Sequence, residues 1–195
     1  MILMKDIIRE GDERLHEKSK DVSVPVSKED INLLKEMMEY VRNSVDEAVS
    51  KKYNLRPSVG LACPQLGILK RIIAISAENE VGELVELAIM NPKIISYSEE
   101  LAYLDSGEGC LSVDREVKGL VFRHKKIKFK ALVLENDKMV ERIISLKGYL
   151  AIVFQHEYDH LEGILFPDRI NKQDPFFVPE NAKRIVFKGE EESVK

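Results

Sequence analysis

The sequence predicts an α+β fold, with antiparallel strands around a central helix and an amphipathic helix near the N-terminus. Three observations predict it. Apolar residues recur at helical spacing after Ser27, alternate with period two over residues 126–134, and dominate a helix-length stretch over residues 149–163.

The first helix opens at SKED (27–30), where Ser27 is the capping residue and Asp30 its box partner. Leu34, Met38, Val41, Val45 and Ala48 follow on one face, with charged residues opposite. Core packing accounts for that face, so Met37 and Met38 need no cofactor to explain them. RPSVGLACPQLG (56–67) is punctuated by prolines and glycines and reads as a loop or short strand. RIIAISA (71–77) reads as a buried strand, and ELVELAIMNPKII (83–95) as a second, broken at Asn91-Pro92. LDSGEGCLSV (104–113) is a glycine-tight turn region. In KIKFKALVL (126–134), Ile127, Phe129, Ala131 and Val133 face one way, and Asn136-Asp137 turns the chain into MVERIISL (139–146) to complete a hairpin. Gly148 then separates strand from helix. The helix over 149–163 makes about four turns, carries Leu150, Val153, Phe154 and Leu161, and stops at Gly163. Pro167, Pro175 and Pro179 mark the remainder as extended chain, ending in a strand over 184–188 and an acidic tail, GEEESVK (189–195).

A length of 195 residues suits one domain, spanning 1–195, with a buried core. A hydrophobic fraction of 44%, a charged fraction of 33% and a net charge of -4 match ordinary globular composition. They do not suggest a nucleic-acid protein: basic residues are scattered, and RHKK (123–126) reads as a solvated strand entry. No apolar run approaches the ~20 residues of a membrane helix. The N-terminal residues turn charged at Lys5, unlike a signal peptide. The only cysteines are Cys63 and Cys110, which implies a reducing, cytoplasmic compartment without a disulfide framework.

The chemistry concentrates in QHEYDH (155–160). His156 and His160, four residues apart, share one helix face and can point two imidazoles at one ion. Glu157 sits beside them as a general base, the mechanical logic of HExxH. The rest of this helix is apolar, so the histidines face inward, where an unpaired imidazole pair is costly and a metal removes the cost. The central helix is therefore expected to be metal-binding. Asp159 suits either a hydrogen bond to a ligating histidine or a solvent-facing position. A third ligand is still required. Glu180 is the best carboxylate downstream but lies between prolines. Cys110, in the tight GEGCLS, is the better candidate because a thiolate binds zinc or ferrous iron strongly. A single cysteine is also, more commonly, a small core residue.

Three stretches resemble the peptide deformylases. SVGLACPQ (58–65) is similar to their GxGLAAPQ, EGCLS (108–112) to their second motif, and QHEYDH (155–160) to their QHExDH, in the same order along the chain. The N-terminal DIIREGD and the hairpin before the metal helix extend the resemblance over most of the chain. Ser58 and Cys63 depart from the first motif, both with small side chains. The departures leave the metal and base residues untouched and bear on loop shape and redox sensitivity. The tail resembles the longer subtype that ends in a strand.

The resemblance implies a hydrolase that removes the formyl group from the initiator methionine of nascent polypeptides. Cys110, His156 and His160 would hold one divalent ion, with Fe(2+) favoured and Zn(2+), Ni(2+) or Co(2+) as other occupants. Glu157 would shuttle the proton. Gln65, through its side-chain amide, and Leu111, through its backbone N–H, would stabilise the oxyanion. The N-formyl-methionyl peptide would lie as an extended strand along Val59, Gly60 and Gly109. Its methionine would enter a pocket made by Val59, Tyr149 and Val153. Docking at the ribosome near the nascent-chain exit is also implied, although no basic patch is assigned to it. Two other readings stay open at this point: a metallopeptidase using Glu180 in place of Cys110, and a non-catalytic protein with a closed structural metal site.

Overall fold

Alternating apolar residues decide which strand faces meet which helix. The computed structural model describes residues 1–190. Along the chain run α1 (Lys28–Val45), α2 (Glu47–Tyr53), β1 (Gly60–Ala62), β2 (Ile72–Glu78), β3 (Leu84–Tyr97) and β4 (Leu101–Tyr103). They are followed by β5 (Arg123–His124), β6 (Lys126–Glu135), β7 (Lys138–Lys147), α3 (Gly148–Leu161) and β8 (Ala182–Arg184). The architecture is mixed α+β. A five-stranded antiparallel sheet has the order β1-β2-β3-β6-β7. A smaller sheet has the order β5-β4-β8, in which β4 and β8 run parallel.

The continuous apolar run of β2 reflects burial on both faces. Ile73, Ile75 and Ala77 pack with Ala151 and Phe154 of α3, while Ile72 and Ala74 pack with Leu34, Met37 and Val41 of α1. β6 supplies Ile127, Phe129, Ala131 and Val133 to the α3 side, as the period of two requires. Phe129 and Phe154 stack with ring centroids 4.0 Å apart. Burying such a side chain contributes ~1.5–3 kcal/mol, so the interlocked rings fix α3 on the sheet.

Several boundaries differ from the sequence reading, each for a local reason. Ser27 caps α1 by accepting from the Asp30 N–H at 3.1 Å. The Asp30 carboxylate, however, takes the Ser27 hydroxyl rather than the Ser27 backbone N–H. The expected first helix does not carry its buried face through Val45 and Ala48: Val45 is exposed, and Ala48 falls in a separate helix, α2, which Asp46 caps and Asn54 ends in the left-handed region at φ 51°. β3 continues through Asn91-Pro92 because a register shift absorbs the extra residue. Asn91, at φ 51°, bonds through its side-chain amide to both backbone groups of Val22. α3 ends at Leu161, two residues earlier than expected, with Gly163 in the turn that follows. The last strand is Ala182–Arg184 rather than 184–188, its length set by pairing with three-residue β4. Residues 191–195 of the acidic tail lie outside the described residues. No described helix is long and apolar enough to cross a membrane.

Candidate metal centre

α3 brings His156 and His160 to one face, with ring centroids 5.2 Å apart. The glycine-rich turn before Leu111 lays Cys110 against them. One ligand atom from each of Cys110, His156 and His160 lies within 4.8 Å of the others, and Cys110 Sγ is 3.3 Å from His160 Nε2. Glu180 is exposed and takes no part in this cluster.

The electrostatics favour a cation between these donors. Burial pushes the Cys110 thiol up, but His160 and His156 outweigh it and hold the group well below the usual thiol range. Burial pushes His156 down, but its bonds to Cys110 and Glu108 outweigh that and raise it well above the usual value. Two imidazoles and a sulfur that favours the thiolate are a fitting donor set for zinc or a ferrous ion. Glu157 stands alongside, 5% exposed, with its Oε2 buried and unbonded among the described residues. Burial raises its carboxyl above the usual range. An orphaned buried carboxylate oxygen beside three candidate ligands fits a site that also takes water. His160 Nδ1 is likewise buried without a partner among the described residues.

The orienting network differs from the sequence reading. Glu108 Oε2 accepts from His156 Nδ1 at 2.8 Å, which turns Nε2 toward the cluster. Arg123 grips both Glu108 oxygens, from Nε at 2.6 Å and Nη2 at 2.8 Å. Its Nη1 reaches Asp159 at 2.8 Å, and Asp159 also accepts two bonds from Arg169. Asp159 therefore meets two arginines, not a ligating histidine, and it is buried rather than solvent-facing. Arg123 is 4% exposed, so RHKK does not open as a solvated strand entry. Burial would raise the Glu108 carboxyl, but the Arg123 charge holds it down at about 2. Glu108 and Arg123 were missed. The available signal was a carboxylate two residues before Cys110.

A cleft of about 400 Å³ opens over the cluster. Cys110, His156 and Glu157 line it, while His160 lies beneath, 1% exposed. Gln65 and Leu111 lie on its wall. Gln65 is buried, not a surface glutamine. Its Oε1 accepts from the Ala62 N–H at 2.9 Å, so its Nε2 points toward Cys110 Sγ, 3.5 Å away. Leu111 is held in place by Arg56, which bonds the carbonyls of Cys110 and Leu111. Val59, Gly60, Gly109, Tyr149 and Val153 complete the set of residues singled out in the sequence, and all line the cleft.

Gly60 lies on the free edge of β1. Its partner across the sheet is Ile75, and the neighbouring Val59 carbonyl already accepts from Ser76 N–H at 2.9 Å. The Gly60 backbone therefore faces away from β2. The Ser58 hydroxyl donates to the Gly60 carbonyl at 2.6 Å, a contact that no glycine at that position could make. A Cβ on Gly60 would come within 2.8 Å of Glu157 Cγ, so the glycine makes room for the carboxylate. Gly60→Ala is expected to displace Glu157 and lower kcat by about a hundredfold, the scale of a 1 Å misplacement, with metal content unchanged. Steady-state kinetics and metal analysis of one sample check this. Cys63, by contrast, is fully buried in the α1 side of the core, and burial pushes its thiol up to about 12. It is therefore remote from redox chemistry.

A sequence model of the family described as polypeptide deformylase matches residues 4–176. A peptide deformylase of Oceanobacillus iheyensis is 55% identical over 95% of this chain and 100% of its own length. Peptide deformylase 2 of Bacillus subtilis is 48% identical over 95% of this chain and 99% of its own length. Among solved structures, a Met-Ala-Ser-bound class I type b peptide deformylase from Acinetobacter baumannii superposes with a TM-score of 0.64 at 33% identity. That match covers 84% of this chain and 96% of the other.

Proposed function

Because the chain belongs to the polypeptide deformylase family, we propose that Cys110, His156 and His160 hold its divalent ion and that Glu157 is its acid–base group. The chain is a metal-dependent hydrolase that removes the N-formyl group from the initiator methionine of nascent polypeptides. The observation that carries the residue assignment is the convergence of those three ligand atoms within 4.8 Å, next to the unbonded Glu157 Oε2.

A divalent ion held by these three residues would supply Lewis acidity for a water and a carbonyl. Glu157 takes the proton of the attacking water on Oε2 and returns it to the leaving amine, as the C–N bond breaks and formate departs. Its raised pKa suits both roles. Gln65 Nε2 and the Leu111 N–H donate to the oxyanion that forms on the formyl oxygen. The Ala62 bond to Gln65 Oε1 spares the reaction the cost of orienting that amide. The substrate backbone pairs along the free edge of β1 at Gly60, with Gly109 on its other side, and such pairing does not read side chains. The methionine side chain enters between Val59, Tyr149 and Val153.

We read residues 1–195 as one catalytic domain acting in the cytoplasm, on chains near the nascent-chain exit of the ribosome. Fe(2+) is the ion that the family resemblance favours, and a thiolate with two imidazoles suits zinc as well. The test is formate release from formyl-Met-Ala-Ser by anaerobically purified protein. Formate with an intact Met-Ala-Ser product is expected. Cleavage of a peptide bond without formate would support a metallopeptidase instead.

A further inference from the structure

Beside the catalytic cleft lies a second cavity of about 550 Å³. The two share Val45, Val59 and Tyr149, so these side chains stand between them. Tyr149 also floors the pocket assigned above to methionine. The depth of that pocket therefore depends on where Tyr149 is held, and what holds it lies outside the pocket.

Two groups do so. The Glu80 carboxylate, in the turn between β2 and β3, accepts from the Tyr149 N–H at 2.9 Å. Lys147, at the helix start, gives α3 no side-chain cap, so Glu80 caps the helix from a distant segment. Gly148 sits at φ +58°, and a Cβ there would collide with the Glu80 carboxylate. The same Glu80 accepts from the Lys188 N–H through its backbone carbonyl at 2.9 Å, which anchors the C-terminal segment. One residue before, Phe187 meets the Tyr149 ring edge-on, with centroids 5.0 Å apart and planes at 74°. Ile185 packs beside it on Ile152 and Ala102. Glu80 thus fixes the Tyr149 backbone and Phe187 fixes its ring.

We propose that Glu80 and Phe187 are positioning residues that set how long a side chain the methionine pocket accepts, by holding Tyr149 as the wall between the two cavities. This rests on the placement of Tyr149 in the substrate pocket. With either hold removed, the wall yields and a longer unbranched side chain can extend into the second cavity. Neither residue touches the metal cluster or Glu157.

The experiment compares formate release from formyl-Met-Ala-Ser and from the same peptide with an octyl side chain in place of methionine's. Phe187→Ala and Glu80→Ala are expected to raise the octyl-to-methionine ratio of kcat/KM about tenfold, the worth of about two buried methylenes. The gain is expected in KM for the octyl peptide, with kcat for formyl-Met-Ala-Ser within about twofold of wild type. Glu80→Gln keeps an acceptor oxygen for the Tyr149 N–H and is expected to retain the wild-type ratio. Phe187→Leu, a milder change that preserves bulk, is expected to shift the ratio in the same direction by a smaller factor. Folded variants with melting curves like wild type and an unchanged ratio would overturn the proposal, as would an equal rise in Glu80→Gln. Wild type that released no formate from formyl-Met-Ala-Ser would instead overturn the assigned reaction, and the proposal with it.

Discussion

Glu157→Ala is expected to lower formate release about a thousandfold while bound metal stays near one equivalent. The size follows from the worth of a positioned acid–base group, ~10²–10⁴ in rate. The direction follows from geometry. Glu157 is 5% exposed, its Oε2 makes no other bond among the described residues, and Gly60 leaves room for it. No other described carboxylate lines the cleft except Glu108, and both Glu108 oxygens are already taken by Arg123 and His156. A substitute base is therefore not at hand. Metal retention is expected because Glu157 contributes no atom to the three-ligand cluster. Steady-state kinetics with metal analysis of the same sample check this. Activity within tenfold of wild type would remove Glu157 from the chemistry, and loss of metal would make it a ligand.

Arg123→Met is expected to destabilise the folded protein by about 3–5 kcal/mol, because removing one partner of a buried ion pair strands the other. Arg123 and Glu108 are only 3% and 5% exposed at their side chains, so the charge left behind stays largely buried. Asp159 keeps Arg169, whereas Glu108 is left with only the His156 ring. For a chain of this length the melting temperature should fall on the order of 10 °C. Calorimetry of the metal-loaded protein reads it. A fall of less than about 1 kcal/mol would mean that the network is already hydrated. The cost also reaches function, because Glu108 is the group that fixes the His156 tautomer. Metal affinity should drop about 10–100-fold, as is typical when such an outer partner is lost.

The parts of the site that could be read in advance are those carried by one element. The pairing of His156 and His160 follows from helical spacing alone, because the helix geometry brings i and i+4 together, and Glu157 follows from the pattern HExxH that they frame. The core face of β6 follows in the same way from Ile127, Phe129, Ala131 and Val133. Cys110 lies 50 residues before His160, and no local period links them; a thiol in a glycine-tight turn made it a candidate, and the likeness of EGCLS to a known motif supported it. Arg123 shows the opposite outcome. In RHKK it is one of four basic residues that look solvated. Its partners lie 15 and 36 residues away, so only the fold reveals two carboxylates converging on it. Asp159, left open between a histidine partner and solvent, bonds two arginines that the sequence does not place beside it. The clamp on Tyr149 joins a hairpin turn, a helix start and the C-terminal segment, three places that share no pattern in the sequence.

The most direct test of the account is X-ray absorption at the metal edge of the zinc-loaded protein. If Cys110, His156 and His160 hold the ion, the spectrum contains one sulfur at about 2.3 Å and two nitrogens at about 2.0–2.1 Å, with one further light atom. A first shell of nitrogen and oxygen alone, without sulfur, would contradict it, because the third ligand would then be something other than Cys110.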